Sequence, residues 1–312
     1  NIDGKYKYGA KIMLSATTNA GYTFNGFYDN EKLLTSETVY SFYVDKDITI
    51  AAKLSANTDT QYTTEYYLQN LENDEYTLHE ISDLQGTTDT AAIAEIKNFA
   101  HFTHKATATD SGNINGDGSL VLKVYYTRDK YNVRAIQNNE KGGTIENIDG
   151  KYKYGAKITL SSTTNAGYTF NGFYDNEKLL TLETVYNFIA DKDITITAKW
   201  KINRYSLTLV FGGVREDEII TQDYNSTLGI TNPVRAGYDF IGWDKSIPAT
   251  MPAENITRTA QWNAIFKLSE SGAAITGLTD YGKNKYTKIV IPAEIDGVKI
   301  ISIGASAFRD CS

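Results

Sequence analysis

The chain has little cysteine, methionine or proline: one, two and four residues in 312. Its single thiol, Cys311, closes no disulfide within the chain, so packing or contacts between neighbouring modules must supply the stability. No long apolar run, signal peptide or lipidation motif occurs, and we expect no membrane insertion within these residues. A stripe of basic residues is also missing, which argues against nucleic acid as a partner.

Aromatic residues are plentiful, because they make up 12% of the chain and include 23 tyrosines. Such a composition is typical of a folded, β-rich protein and excludes a disordered one. The formal net charge of −7 has one source, since residues 61–127 hold ten acidic residues and three basic ones while the rest of the chain is balanced. The length leaves room for about two to five small domains.

Most of the organisation comes from a duplication. Residues 1–54 and 147–200 match at 46 of 54 positions. Most of the eight differences exchange one β-compatible residue for another, as expected after recent duplication of a folded unit. Enzymes seldom need two copies of one site, so the repeat favours a surface, scaffold or binding role. The second copy is preceded by a strand-like segment, 131–136, and we therefore expect the natural chain to begin before residue 1.

Alternating apolar residues predict the strands of the repeat. In the second copy we expect strands at 131–136 and 157–160, and in the stretches 168–174, 184–189 and 193–200, with a break at Tyr154-Gly155. A short helical turn over 177–182 is an open alternative to strand. A divergent third copy runs from Arg204 to Trp262, and its Gly237 and Gly242 would permit a turn and a close backbone approach.

The acidic segment between the first two copies predicts a related but different module. Residues 62–68 and 76–84 alternate like a hairpin, and 119–126 reads as a further strand. Residues 90–99 are the best helix candidate in the chain, with Asp89 or Thr90 as the N-cap. Strand, strand, helix and strand in that order predict a β-grasp-like α+β module.

The residues of the repeats carry a family resemblance. The block Ala-Gly-Tyr-x-Phe-x-Gly-Phe/Trp occurs three times, and each time Asp/Asn-Ile-Thr-x-x-Ala-Lys/Gln follows, with a closing Trp in the second and third copies. It resembles the internalin B-repeat and related bacterial surface repeats, which are small β-grasp-like modules on cell-wall proteins. Leu54 stands where the closing Trp is expected, and Phe27 and Phe173 stand where Trp is usual. The acidic segment is similar to the mucin-binding-like modules that accompany such repeats.

The C-terminal residues carry a second resemblance. Residues 289–312 contain Ile-Pro, Ile-Gly, Ala-Phe and Cys-Ser in the order of a BspA-type leucine-rich repeat. This resemblance implies core positions at Ile289, Ile291, Ile301, Ile303 and Phe308, with Cys311 as a small buried residue. A solenoid needs about three repeats to bury its core, so we expect the array to continue beyond Ser312.

Two clusters imitate metal sites. His101 and His104 have the spacing of two ligands, with His79 in the same module, but no Cys or His-Glu signature accompanies them. The stretch 113–118 resembles the first half of a calcium loop, yet Val124 stands where the bidentate Glu should be. We expect packing or solvent-facing histidines and a tight turn between strands, and we predict no metal or other cofactor.

Exposed aromatic residues are the remaining candidates for a binding site. Tyr28, Tyr174 and Trp243 could contact a sugar or protein ligand, although period-2 aromatics more often belong to a core. Tyr6, Tyr8, Tyr152 and Tyr154 are further candidates of this type. No nucleophile, base and acid come together in the sequence, and no phosphate-binding glycine loop precedes a helix, so we predict no catalytic residues.

Together these features predict a non-enzymatic extracellular segment of a bacterial surface protein. It would act as an elongated spacer that projects a leucine-rich binding domain and contributes adhesive contacts. The alternative is a module that binds a host glycoprotein or a polysaccharide directly. The expected partners are surface proteins or glycans and the neighbouring modules. The predicted modules are the first repeat (1–54), the acidic module (55–130), the second repeat (131–201), the third repeat (202–262) and the tail (263–312).

Overall fold

The computed structural model describes residues 3–213 and 215–309. Nearly all of its regular structure is β-strand, which confirms the prediction of a β-rich chain. Contacts between Cα atoms divide the chain into two compact units. Unit 1 comprises Asn1–Val133, Gly150–Ile158 and Phe188–Asp193, and unit 2 comprises Arg134–Asp149, Thr159–Asn187 and Ile194–Ser312.

In unit 1 the first repeat forms two small antiparallel sheets. One pairs β1 with β4, and the other has the order β3-β2-β5. The register between β2 and β5 shifts at Phe24 and Gly26, and Gly26 has a φ of +132°. A β-bulge of this kind requires backbone angles that glycine reaches without strain. The strands are β1 (Lys11–Ser15), β2 (Tyr22–Asp29), β3 (Lys32–Thr35), β4 (Val39–Tyr43) and β5 (Ile50–Ala56).

The acidic module forms a mixed four-stranded sheet with the order β7-β6-β11-β9. The predicted hairpin is confirmed as β6 and β7, and the central pair β6 and β11 is parallel. Leu122, Val124 and Tyr126 alternate along β11 and are buried, because every second side chain of the strand faces the core. The strands are β6 (Thr60–Gln69), β7 (Tyr76–Gly86), β8 (Ala91–Ile93), β9 (Phe102–Lys105), β10 (Ser111–Asn113) and β11 (Val121–Arg128).

The helix predicted for residues 90–99 is wrong. Ala91–Ile93 forms β8, which pairs with β10, and the only helical element in residues 60–129 is a 3-10 turn at Ala108–Asp110. Ala92 and Ala94 are buried while their neighbours are exposed, so the apolar residues follow a period of two and not of 3.6. Asp89 has a φ of +61°, which a helix N-cap does not adopt.

The second repeat contributes strands to both units. β12 pairs with β14 in unit 1, whereas β16 pairs with β17 and β19 in unit 2. The bulge of the first repeat recurs between Phe170 and Gly172, and residues 178–181 form a strand in place of the possible helical turn. The strands are β12 (Lys130–Gln137), β13 (Gly143–Ile145), β14 (Gly150–Lys153), β15 (Lys157–Thr164), β16 (Tyr168–Asp175), β17 (Lys178–Thr181), β18 (Val185–Ile189) and β19 (Ile194–Ile202).

The third repeat has the same sheet plan as the acidic module. Its order is β21-β20-β23-β22, again with a parallel central pair between antiparallel neighbours, and the bulge recurs between Phe240 and Gly242. The acidic module and the third repeat therefore share one order and one set of strand directions. The strands are β20 (Arg204–Val210), β21 (Glu218–Asp223), β22 (Tyr238–Trp243) and β23 (Ile256–Ala264).

The tail packs around Phe266, Ile275, Leu278 and Ile295. Ile289, Ile291 and Phe308 pack against this cluster as predicted, but Ile301 and Ile303 are exposed, so their predicted place in the core is wrong. Ile300 packs inward in place of Ile301, and the predicted role of Cys311 lies outside the described residues. The elements are β24 (Phe266–Leu268), β25 (Ala274–Leu278), α1 (Asp280–Lys285), β26 (Glu294–Ile295), β27 (Val298–Lys299) and β28 (Ser302–Ile303).

Candidate functional site

The most regular feature outside the cores is a backbone arrangement that occurs at four module junctions. At each junction the carbonyl of the residue that precedes a strand accepts a hydrogen bond from a linker amide, and the carbonyl of that linker residue accepts one from a backbone amide of the next module. The eight N···O distances lie between 2.8 and 3.0 Å. The residues are Gly21, Asn57 and Thr88 (junction 1), His101, Asp129 and Tyr154 (junction 2), Gly167, Asn203 and Tyr224 (junction 3), and Gly237, Ile265 and Thr279 (junction 4).

The first residue of every junction has a left-handed backbone. The φ values are +77° at Gly21, +66° at His101, +82° at Gly167 and +81° at Gly237. Glycine adopts this conformation without the steric cost that a Cβ atom brings. Space is also short, since a Cβ at Gly167 would lie 2.2 Å from the ring of Tyr224. The glycine of the Ala-Gly-Tyr block therefore serves two needs at once, a backbone angle and a close approach.

An aromatic residue follows the left-handed residue and contacts the next module at all four junctions. The Tyr22 hydroxyl donates to the carboxylate of Asp89, and the Tyr238 hydroxyl donates to Asp296 over 2.8 Å. At the other two junctions the contact is between rings. Phe102 meets Tyr154 edge to face with centroids 6.2 Å apart, and Tyr168 meets Tyr224 at 6.0 Å.

Threonine side chains fix the linker residue at three of the junctions. The Oγ1 atoms of Thr23, Thr103 and Thr169 donate to side-chain oxygens of Asn57, Asp129 and Asn203 over 2.6, 2.6 and 2.7 Å. Each linker residue is thus held by its side chain as well as by its two backbone groups. A linker held this way loses the conformational freedom that a flexible connection would keep.

Junction 2 combines a stacked ring pair with hydrogen bonds and an ion pair. The imidazole of His101 stacks on Tyr154, and its Nδ1 lies 2.8 Å from the Tyr131 hydroxyl. Arg128 donates to the carbonyl of Tyr154 over 3.2 Å. Lys153 adds an ion pair of 3.1 Å with Asp74 and a hydrogen bond of 2.8 Å to the carbonyl of Asn73. The negative acidic module therefore meets a lysine of the second repeat.

Junction 4 replaces threonine by a carboxylate. Asp239 accepts from the hydroxyls of Tyr281 and Tyr286 over 2.9 and 2.6 Å, and Lys285 lies 3.1 Å away. Burial raises the pKa of Asp239, but hydrogen bonds from Tyr286, Lys285 and Tyr281 outweigh it and hold the pKa below the ordinary value of 3.8. The pKa of Asp296 is also lowered, mainly by a hydrogen bond from Arg235. This junction holds its carboxylates in the charged form.

The three predicted ligand-contacting aromatics belong to three different repeats. Tyr28 and Tyr174 occupy equivalent positions in the first and second repeats, and each ring has a lysine over one face, Lys53 at 4.5 Å and Lys199 at 4.2 Å. Trp243 packs instead against the core of the third repeat, with ring centroids 5.5 Å from Phe240 and 5.9 Å from Phe211.

The three histidines are each engaged with other side chains. His104 lies 2.9 Å from Asp110, His79 meets Phe99 edge to face, and His101 belongs to junction 2. Within the described parts of the chain, His, Cys, Asp and Glu side chains form no group of three or more that could hold a metal ion. Asn113 ends β10, and the following turn closes with Gly118 at a φ of +76°.

Sequence reasoning missed the junction role of residues 100–104. A signal was present, because Ala100-His101-Phe102-Thr103-His104 aligns with Ala20-Gly21-Tyr22-Thr23-Phe24. The alignment places histidine on glycine, and the i, i+3 spacing of the histidines drew attention to metal binding instead. Reading the acidic segment against the repeat block would have indicated a junction.

Comparison with known proteins finds a sequence family that matches part of the chain. The sequence model of a family described as divergent InlB B-repeat domain matches residues 1–58 and 133–204. Internalin H of Listeria monocytogenes is 36% identical over 116 residues, which are 33% of this chain and 20% of that protein. A putative membrane protein of Evansella cellulosilytica is 26% identical over 151 residues, 44% of this chain and 22% of the relative. These findings support the B-repeat resemblance for the first two repeats.

The chain spans about a fifth of the length of these two relatives. Among solved structures, the Bacillus anthracis TIE protein aligns with 82% of this chain and 68% of its own, at 10% identity and a TM-score of 0.38. Within residues 3–213 and 215–309, no helix combines the length and apolar character needed to cross a membrane. The mucin-binding-like and leucine-rich resemblances stay predictions.

Proposed function

We propose that this chain is a non-enzymatic extracellular spacer of a bacterial surface protein, built from repeats of the B-repeat type. The observation that carries the proposal is the junction arrangement, which four different linkers share. A spacer has to hold its modules in register, and a linker fixed by backbone hydrogen bonds limits their relative motion. The name of Internalin H and the description of the other relative as a putative membrane protein support a location at the cell surface.

In this proposal the spacer presents the leucine-rich tail, which would contribute adhesive contacts. Binding to a panel of host matrix proteins and glycans tests this part. We expect the chain to bind, and a variant that ends at residue 262 and so lacks the tail to bind more weakly. Equal binding by both forms would mean that the repeats carry the recognition site. No binding by either form would contradict the proposed adhesive role.

Order at junction 1 tests the spacer role directly. Spin labels on Lys32→Cys in the first repeat and Glu72→Cys in the acidic module, with Cys311→Ser to remove the native thiol, report one distance by double electron–electron resonance. Both positions are exposed. We expect a single narrow distribution. Adding Gly21→Ala should broaden it, because a Cβ there would lie 2.4 Å from the Cα of Gly116. A broad distribution in the parent would contradict the spacer role.

The alternative function is direct binding of a glycan or glycoprotein through Tyr28 and Tyr174. Their equivalent placement on two repeats favours it, because two weak sites on one chain bind more tightly together than either alone. A lysine lies over one face of each ring, so a sugar would have to bind the other face. The double variant Tyr28→Leu/Tyr174→Leu should abolish binding at an unchanged melting temperature if this function holds. Unchanged binding of the double variant would contradict this alternative function.

A further inference from the structure

The chain enters and leaves the acidic module on two strands that are neighbours in its sheet. β6 begins at Thr60, shortly after the linker residue Asn57, and β11 ends at Arg128, directly before the linker residue Asp129. The sheet order is β7-β6-β11-β9, so neither of these two strands lies at an edge. Tension along the chain would therefore reach this module through its two central strands.

Because β6 and β11 are parallel, tension along the chain pulls them in opposite directions along their own axes. The strands would have to slide past each other, and all hydrogen bonds between them would carry the load together. An antiparallel hairpin pulled from its open end loses its bonds one by one instead. The ladder pairs Thr63 with Val121 and Leu68 with Tyr126 at its two ends. A hydrogen bond of 3.0 Å from the amide of Thr63 to the carbonyl of Leu120 extends it.

Side chains cover this ladder on both faces of the sheet. On the inner face Leu122, Val124 and Tyr126 of β11 are 1%, 0% and 1% exposed. On the outer face the half-buried rings of Tyr67 and Tyr125 stack across the two strands, with centroids 5.1 Å apart. A hydrogen bond that is shielded from water is electrostatically stronger than an exposed one. The cover on both faces therefore slows the exchange of these bonds for bonds to water.

Side-chain contacts join the same two strands. At the end of the ladder the backbone amide of Arg128 donates to the Oε1 atom of Gln69 over 3.1 Å. The Nε atom of Arg128 donates to the carbonyl of Gln69 over 2.7 Å. Closer to the middle, the Lys123 ammonium lies 3.8 Å from the carboxylate of Glu65. Each contact connects β6 to β11 and so opposes the sliding of one strand along the other.

The third repeat, in unit 2, has the same arrangement. β20 begins at Arg204, directly after the linker residue Asn203, and β23 ends at Ala264, directly before the linker residue Ile265. These first and last strands are again parallel neighbours in the middle of their sheet. Two modules with different sequences thus receive tension in the same way.

We infer a further function for the acidic module, which is to act as a mechanical clamp that bears tensile load along the chain. Under tension β6 and β11 hold together. Residues 70–120 stay folded, because no force reaches them until these two strands separate. The inference rests on the proposed spacer role, since a spacer between a cell surface and a bound partner is what would place the chain under tension.

The test pulls the acidic module in two directions within the full chain. DNA handles on Asp59→Cys and Lys130→Cys load β6 against β11, whereas handles on Asp59→Cys and Gln85→Cys open the hairpin of β6 and β7 from its end. All three positions are exposed, and Cys311→Ser removes the native thiol. In optical tweezers we expect the first pair to need a mean unfolding force at least about twofold higher. Equal forces would overturn the clamp.

Two controls separate the clamp from general stability. The two pairs of cysteine substitutions should have the same urea midpoint, so that a difference in force reports direction. Tyr67→Ala removes the ring stack across the ladder and should lower the force in the first direction by about a third. Tyr76→Ala removes a ring from β7 that also contacts Tyr125, and should leave that force unchanged. An equal drop in both variants would mean that β7 shares the load, and would overturn the clamp.

Failure of this inference differs from failure of the spacer role. Equal forces in the two directions, together with a narrow distance distribution at junction 1, would overturn the clamp and leave the spacer role in place. A broad distribution at junction 1, together with a force that depends on direction, would contradict the spacer role and support the clamp geometry.

Discussion

The imidazole of His101 lies face to face on the ring of Tyr154, with centroids 4.0 Å apart and planes 8° from parallel. His101 belongs to the acidic module, and Tyr154 is the first residue of a turn in the second repeat. At junctions 1, 3 and 4 glycine takes the place of His101 and leaves that space to other groups. The acidic module therefore keeps the junction backbone of the repeats and adds a ring contact to it.

Two substitutions at His101 separate the ring from the backbone. His101→Ala loses the stacking and the contact with Tyr131 but keeps a side chain at a φ of +66°, so we expect a loss of about 1–2 kcal/mol of stability. His101→Gly loses the same contacts but regains about 1 kcal/mol of backbone strain. Urea denaturation measures both. If the alanine variant were as stable as the parent, the imidazole ring would not contribute to stability.

Two glycines separate backbone strain from steric clash. Gly155 and Gly167 have similar φ values, +85° and +82°, but a Cβ at Gly155 would meet only Arg128 at 3.6 Å, an ordinary contact. Gly155→Ala should therefore cost about 1 kcal/mol. Gly167→Ala should cost about 2–4 kcal/mol, because Tyr224 must also move. Equal urea midpoints for the two variants would argue against close packing at junction 3.

A reciprocal exchange tests the difference between the repeats at the closing strand. Trp200 is 4% exposed, packs against Gly142 and Gly143, and donates from Nε1 to Thr164, whereas Leu54 is 45% exposed. Trp200→Leu should cost about 2–4 kcal/mol. Leu54→Trp should change stability by less than about 0.5 kcal/mol. If it stabilised as much as the first variant destabilises, the two environments would be equivalent. Thermal unfolding compares them.

Acid should weaken junction 4 through Asp239. Its pKa is lowered on folding, so the charged form stabilises the folded state above the unfolded pKa of about 3.8. That stabilisation is lost as the pH falls through the lower folded value. Asp239→Asn should therefore be less stable than the parent at pH 7, and the gap should close below pH of about 4. A gap that is the same at pH 7 and pH 3 would contradict this role; chemical denaturation at several pH values measures it.

The strands of the repeats could be predicted from the sequence because their apolar residues alternate. The hairpin of β6 and β7 and the strand β12 lie where the pattern placed them. The prediction of a helix at 90–99 is wrong because four small or apolar residues in a row fit the helical period of 3.6 as well as the strand period of two. Pairing with β10 stabilises the strand. The core position predicted for Ile301 is wrong because a shift of one residue along an extended chain exchanges inward and outward side chains, and Ile300 packs inward.

The junctions could not be predicted because they depend on contacts between residues far apart in sequence. Asn57 looks like an ordinary linker residue, and only the fold brings it to Gly21 and Thr88. The spacing between His101 and His104 suggests metal binding and gives no indication that His101 belongs to a junction. The glycine of the Ala-Gly-Tyr block was correctly read as a turn, but its closeness to the next module is a tertiary property.

Amide hydrogen exchange at the linkers tests the central claim most directly. The claim is that the amides of Asn57, Asp129, Asn203 and Ile265 are bonded within ordered junctions. We expect them to exchange as slowly as amides in the adjacent strands, together with their partners in the next modules. Exchange at the rate of an unstructured peptide would show free linkers and would contradict the spacer account.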